Sequence, residues 1–253
     1  MTDTARQDEI AEKDIQVVET AHGPIRMLAD TGILKWRAET LLTKEPDTIE
    51  WIEHFDEGDV LWDIGANVGV YSLYAARAGK ISRVLAFEPS PWNFAALVRS
   101  ANLNGWSDRI ATYCLAMSDQ TRLDTLHMKN AYFGSAQCSF GEAVNQWGEK
   151  LDVAFEQAAI GFSVDQFNSI FDPPFPNQIK VDVDGLDGAI AEGMKETVGD
   201  ERVKSVLIEI DQARTGELDR VMKIMADGGL QLTNPPPKDG WIESNNFCFA
   251  RSS

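Results

Sequence analysis

Asp63, Glu88 and Asp119 lie at or just beyond the ends of three successive apolar runs, residues 60–64, 83–88 and 111–117. Asp63 opens the pattern D-x-G-x-N-x-G with Gly65, Asn67 and Gly69, and residues 68–78 read as a helix. Glycines let the backbone turn tightly and let a ligand approach the main chain, and the first turn of a helix offers N–H groups without intrahelical partners. An acid beside such groups suits a ligand that carries an ammonium and a carboxylate together. Glu88, followed by Pro89, can accept hydrogen bonds from both hydroxyls of a ribose, each contributing about 1.5–3 kcal/mol when the acceptor is charged. Asp119, after Ser118, stands where the amine of an adenine needs an acceptor. Together they point to S-adenosylmethionine, with the amino-acid end at Asp63, Gly65, Ala66, Asn67 and Gly69, the sugar at Glu88 and Pro89, and the purine at Ser118 and Asp119. A nicotinamide dinucleotide calls for G-x-G-x-x-G, and here Asn67 and Val70 occupy the second and third glycine positions.

Such a cofactor carries its own leaving group, so the protein's task is to position the nucleophile. A hydroxyl acceptor must also lose a proton, and a placed base contributes about 10²–10⁴-fold. In α/β sheets ligands gather at the carboxyl ends of parallel strands, which singles out residues 178–184. Strand alternation puts Lys180, Asp182 and Asp184 on one face, opposite Val181 and Val183. Asp182 is the first candidate for the base or for positioning the acceptor, and Asp184 the second. In the alternative, Lys180 pairs with an acid and one aspartate caps the next turn. Two carboxylates are a minority of the six oxygens a hard divalent cation takes, so no metal is expected. Glu209 and Asp211, ending the run 203–210, are further candidates for an acceptor pocket, as are His127 and the early residues Arg37, Lys44 and Glu45. His22, in the N-terminal region, and His54, on the helix before the first strand, are poor candidates on position. Asp172-Pro-Pro-Phe175 spells the motif with which amine methyltransferases hold a flipped base, but it precedes the strand at 178–184 instead of following it and reads as a turn.

Placing these groups side by side takes a sheet. Strand-like runs at 60–64, 83–88, 111–117, 178–184 and 203–210 alternate with helical stripes: residues 68–78; Phe94, Leu97, Val98 and Ala101; residues 189–197; and Leu218, Val221, Met222 and Met225. Alternation of this kind implies an α/β domain whose parallel sheet is covered on both faces. Residues 230–233 and 245–251 have no helix between them, only Asn234, a proline triplet and a Lys-Asp-Gly turn, so they are expected to run antiparallel. Residues 1–14 read as a flexible tail and 15–55 as an N-terminal extension or lid, with extended stretches at 15–18 and 24–28 and a helix from Pro46. Residues 56–253 form the main domain, interrupted by an insertion at about 120–177 where substrate recognition is placed. A strand near 152–160 and a helix over 163–171 are expected inside it.

Composition narrows the partners. The 253 residues are 43% apolar and 25% charged, the balance of a globular protein with a real core. Forty acids against 23 bases give a formal charge of -17, which repels polyphosphate and argues against nucleic acid as a partner. Cys114, Cys138 and Cys248 show no C-x-x-C spacing, against both a disulfide framework and a zinc site. The polar N-terminus and the lack of an 18-residue apolar stretch lead to an expected cytoplasmic location with no membrane contact.

The motifs, taken in order, resemble the FkbM-type family of S-adenosylmethionine-dependent methyltransferases: D-I-G-A-N-V-G from Asp63, A-F-E-P ending at Pro89, L-A-M-S-D ending at Asp119, I-K-V-D-V-D-G ending at Gly185, and V-L-I-E-I ending at Ile210. The family's fourth-strand motif usually reads I-K-x-D-V-E-G, so Asp184 stands where a glutamate is usual, and Leu186 and Asp187 replace alanine and glutamate. The resemblance implies a Rossmann-like class I methyltransferase fold, with a mostly parallel seven-stranded sheet and an antiparallel last strand. It implies O-methylation of a hydroxyl on a saccharide or secondary metabolite, hence a small-molecule or glycan acceptor. The alternatives are N-methylation of an amine or nucleic acid, and a module that binds the cofactor without turnover.

Overall fold

The protein is described here by a computed structural model covering residues 10–145, 147–210, 216–233 and 246–251. Ile15–Thr20 (β1) and Gly23–Leu28 (β2) pair as an antiparallel hairpin. Gly32–Glu39 (α1) follows, its first turn capped by the Thr31 hydroxyl accepting from the amide of Leu34 at 3.3 Å. The sequence does not predict α1, which buries only Leu34 and Ala38 and so carries almost no apolar stripe. Pro46–Glu53 (α2) starts on its proline as expected. Ile25, Met27, Leu34, Trp51 and Ile52 join the same core as the first helices of the main sheet.

Val60–Ile64 (β3) is buried along its whole length, which is why its run is almost continuously apolar. Its side chains alternate: Leu61 faces the core under Val70–Ala78 (α3), while Val60, Trp62 and Ile64 face the opposite core. Arg83–Phe87 (β4), Pro91–Leu103 (α4) and Ile110–Tyr113 (β5) extend the parallel sheet. On α4 the inward face is Asn93, Ala96, Leu97, Ser100 and Ala101, and Val98 of the predicted stripe points outward. The two polar members are there to accept main-chain N–H groups, Ser100 from Leu28 at 3.1 Å and Asn93 from Gly134 at 2.8 Å.

The run 111–117, predicted as one strand, is two. After β5 the chain leaves the main sheet, and Ala116–Met117 (β6) pairs with a second, four-stranded sheet. Arg122–Met128 (β7), Cys138–Phe140 (β8) and Phe155–Phe162 (β9) complete it in the order β6-β9-β7-β8. Most of the expected insertion at about 120–177 thus belongs to this sheet, which also takes in β6 before it. Val164–Phe171 (α5) follows, capped by Ser163, and Asp172-Pro-Pro-Phe175 is the turn after it: Asp172 adopts a left-handed conformation, and Trp62 donates to the Pro174 carbonyl at 2.9 Å.

Gln178–Val181 (β10) is shorter than the predicted 178–184, for reasons that belong to the site below. The helix expected over 189–197 is broken into Asp187–Glu192 (α6) and Lys195–Gly199 (α7). At the break Gly193 approaches the Ser118 carbonyl so closely that a Cβ would lie 2.4 Å from it. Ser205–Glu209 (β11), Glu217–Asp227 (α8), Gln231–Leu232 (β12) and Asn246–Ala250 (β13) end the fold; α8 turns Val221, Ile224 and Met225 inward and leaves Met222 exposed. The seven-stranded sheet has the order β12-β13-β11-β10-β3-β4-β5, with β13 antiparallel to both β11 and β12, as the Rossmann-like expectation requires. The proline triplet, the Lys-Asp-Gly turn and Asp211 lie outside the described residues. Among the described residues no helix is long and apolar enough to cross a membrane.

Candidate active site

The carboxyl ends of β3, β4 and β10 are tied to one another by main chain. The amides of Gly65 and Ala66 both donate to the Phe87 carbonyl at 3.0 Å, and the amide of Asp182 donates to the Ile64 carbonyl at 3.0 Å. Gly65 has a φ of +84°, and a Cβ on it would fall 1.9 Å from the Asp182 carbonyl oxygen, so only glycine permits this crossing. Two clefts open on either side. The first, about 540 Å³, runs from Gly65 and Asn67 past Glu88 and Pro89 to an apolar end formed by Met117, Leu126 and Phe140. The second, about 430 Å³, lies between Asp63, Tyr71 and Lys180 on the sheet side and Arg37 and Lys44 of the N-terminal segment. Gly65, Asn67 and Asp182 line both.

Glu88 is the anchor of the first cleft. Its two oxygens accept the amides of Asn67 and Ser90, each at 2.8 Å. Burial nevertheless outweighs those hydrogen bonds and pushes the carboxyl up to about 7. Asn93 adds a side-chain hydrogen bond, and since a carboxylate has about four lone-pair sites, capacity remains for a ribose hydroxyl.

The second cleft is built on a buried lysine. Lys180 lies 2.7 Å from Asp182 and 4.0 Å from Glu45, with the Tyr71 ring 4.9 Å away. Asp63 is sealed beneath and accepts the Ser72 hydroxyl at 2.5 Å; burial raises its pKa against the opposing pull of Lys180. Asp182 goes the other way. Burial works against its charge, but Lys180 and a hydrogen bond from Glu209 on the neighbouring strand hold it well below the usual carboxylate range. Glu209 is correspondingly raised, by burial and then by the Asp182 charge.

The strand alternation expected through residue 184 stops at Val181. Asp184 and Gly185 both have positive φ, so the chain turns, and Val183 faces the first cleft together with Asp182 and Asp184. Asp187 accepts the amides of Val183 and Gly185 at 3.1 Å and fixes that turn. Asp184 accepts the Gln137 amide at 2.6 Å. This links it to a loop, residues 131–137, which covers the first cleft and is held from three further directions. Asn67 and Asn93 both donate to the Ser135 carbonyl, at 3.0 and 2.9 Å, and Arg37 donates twice to the Gly134 carbonyl, at 3.1 and 2.9 Å.

The structure thus gathers most of the predicted residues: Gly65, Asn67, Glu88, Pro89, Asp182 and Asp184 line the first cleft, and Asp63 and Ala66 line the second. Arg37, Lys44 and Glu45 line the second cleft as well. Gly69 stands behind, at the start of α3 and against Leu97. Ser118 and Asp119 line neither cleft. Asp119 pairs with Arg122 at 2.9 Å and accepts the Ser118 hydroxyl at 2.9 Å, and the apolar end it was expected to serve is made by Leu126, Cys138 and Phe140 of the second sheet. All three histidines are engaged elsewhere: His22 with Glu53, His54 with the Glu50 carbonyl, and His127 with Glu156 and the Gly141 carbonyl. Asn93 and Ser135 were not singled out by the sequence, because one reads as a helix surface residue and the other acts through its main chain.

Comparison with known proteins agrees with this architecture. Hexuronic acid methyltransferase AglP of Haloferax volcanii is 25% identical over 175 residues, which is 69% of this chain and 65% of that protein. Methyltransferase sdnD of Sordaria araneosa is 26% identical over 191 residues, 68% of this chain and 73% of its own. The solved structure of methyltransferase FkbM from Methylobacillus flagellatus KT superimposes with a TM-score of 0.50 at 17% identity, over 86% of this chain and 53% of that one. This chain therefore spans less than two thirds of AglP and about half of the solved relative. The model of the methyltransferase FkbM domain matches residues 63–232, a stretch that begins at the acid of the glycine loop and includes both clefts' sheet-borne residues, and the chain belongs to that family.

Proposed function

We propose that this protein transfers a methyl group from S-adenosylmethionine to a hydroxyl of a saccharide or related small molecule. The observation that carries the reading is the pair of clefts meeting at Gly65, Asn67 and Asp182. One contains a carboxyl with capacity left for a ribose hydroxyl and an apolar end suited to a purine. The other contains both ammonium and carboxylate groups, complementary to a zwitterionic amino-acid end. When bound, the cofactor supplies an electrophilic methyl on a sulfonium, whose bond to sulfur breaks as the new oxygen–carbon bond forms.

The chain's own residues then divide the remaining work. Glu88 holds the ribose, the main chain at Gly65 lets the ligand approach, and the loop 131–137 excludes water from the first cleft. The structure favours Asp184 over Asp182 as the proton acceptor. Asp182 is engaged by Lys180 and Glu209 and is a weak base. Asp184 has one oxygen on Gln137 and the other without a partner among the described residues, and burial and the Asp182 charge raise its pKa, which strengthens it as a base. The acceptor's proton goes to that carboxylate as its oxygen takes the methyl. Hexuronic acids, after which the relative AglP is named, and saccharides that contain them form the first acceptor panel. Incubation with labelled S-adenosylmethionine and mass spectrometry of the panel tests the reading: label on a hydroxyl oxygen supports it, and label on an amine or on none of the acceptors contradicts it.

A further inference from the structure

The buried lysine behind the second cleft has a consequence for which form of the cofactor the protein holds. Lys180 is sealed, its side chain 3% exposed, whereas the side chain of Asp182 in front of it is 24% exposed and lines both clefts. A ligand lying across the junction meets the carboxylate first and the ammonium only behind it. Lys180 at 2.7 Å and the hydrogen bond from Glu209 fix Asp182 in place from two neighbouring strands, β10 and β11. Glu45, which also lines the second cleft, is paired with Lys44 at 2.6 Å and accepts the Thr48 hydroxyl at 3.1 Å. Asp63, Glu88 and Asp184 are each pushed up by burial, and Asp63 and Glu88 are tied to local donors.

We propose that Asp182 is the counter-charge by which this protein prefers the positively charged sulfonium cofactor to the neutral thioether left after methyl transfer, an inference that rests on the cofactor reading above. S-adenosylmethionine and S-adenosylhomocysteine share the amino acid, the ribose and the adenine, so every contact except the one at sulfur cancels in the ratio of their affinities. The carboxylate end of the Lys180–Asp182 pair, facing the cleft with the ammonium behind it offsetting only part of its attraction, changes that ratio by about tenfold. Weak retention of the thioether also favours its release, so that the same carboxylate serves both loading and turnover.

Titration calorimetry with the two ligands, on the full chain, tests this without requiring an acceptor. The wild-type protein is expected to bind S-adenosylmethionine about tenfold more tightly than S-adenosylhomocysteine. Asp182→Asn is expected to reduce the ratio toward one, mainly by weakening the sulfonium ligand. Glu209→Gln, which keeps a neutral donor beside Asp182, is expected to leave the ratio intact. Equal affinities in the wild-type protein overturn the proposal whether or not the variants fold, and an unchanged ratio in a folded Asp182→Asn protein overturns it as well. Failure of the folded wild-type protein to bind either ligand overturns instead the cofactor reading on which it stands.

Discussion

Asn67 and Asn93 donate to the same acceptor, the carbonyl of Ser135, at 3.0 and 2.9 Å. One asparagine belongs to the glycine loop after β3 and the other to the first turn of α4, so the loop 131–137 is fastened to the elements that frame the first cleft. Covering the cleft and shaping the glycine loop are therefore one structural event.

Asn93→Ala removes both the donor to Ser135 and the acceptor of the Gly134 amide in a buried site. A buried polar group left unpaired costs about 1–3 kcal/mol. A lower melting temperature and faster amide exchange confined to residues 131–137 are expected, together with faster cofactor dissociation. Unchanged exchange in that loop contradicts the fastening.

Gly65→Ala meets the Asp182 carbonyl at 1.9 Å and imposes a left-handed conformation on a residue with a side chain. Backbone strain of that kind alone costs about 1–3 kcal/mol, and the clash separates β3 from β10. The variant should melt earlier and lose cofactor binding, measured by thermal denaturation and calorimetry. A variant that binds normally shows that the crossing is not needed.

Glu88 gives a pH dependence with a definite sign. Its carboxyl is raised to about 7 in the unliganded protein, and hydroxyl donors favour the ionised form, so cofactor binding expels a proton below that pH. Affinity is expected to fall as pH drops below about 7, by up to about tenfold per unit, and to level off above it. Its contribution to fold stability runs the opposite way: the buried neutral acid costs nothing below the ordinary value of 4.5, and the penalty grows as pH rises toward 7. Calorimetry in buffers of different ionisation enthalpy measures the proton directly, and a pH-independent affinity contradicts the role.

Asp184→Asn separates chemistry from architecture. An asparagine oxygen still accepts the Gln137 amide, so the covering loop and cofactor binding should be retained. Turnover of a hydroxyl acceptor should fall by about 10²–10⁴-fold, and the wild-type rate should climb with pH as the raised Asp184 carboxyl ionises. Normal turnover in this variant removes Asp184 from the reaction.

The legible part of the fold is the part whose side chains are uniformly buried. Val60–Ile64 and Ser205–Glu209 are mostly apolar because both faces of the sheet are covered, and Pro46, Pro91 and Ser163 mark helix starts through local chemistry. The illegible part depends on partners far along the chain. An apolar run cannot say which sheet it joins, so the split between Tyr113 and Ala116 was hidden. Alternation past Val181 fails because Asp184 turns left-handed to reach Gln137, a main-chain partner without a side-chain signature. Asp119 looked free for a purine because its partner, Arg122, is only three residues away on a strand that apolar periodicity did not find.

The most direct measurement is equilibrium binding of S-adenosylmethionine to the folded wild-type chain and to Glu88→Ala. One molecule bound per wild-type chain, with affinity lost by about tenfold or more in the variant, is the predicted result. A folded wild-type protein that gives no binding signal, or a Glu88→Ala protein that binds as tightly as wild type, contradicts the assignment of the first cleft.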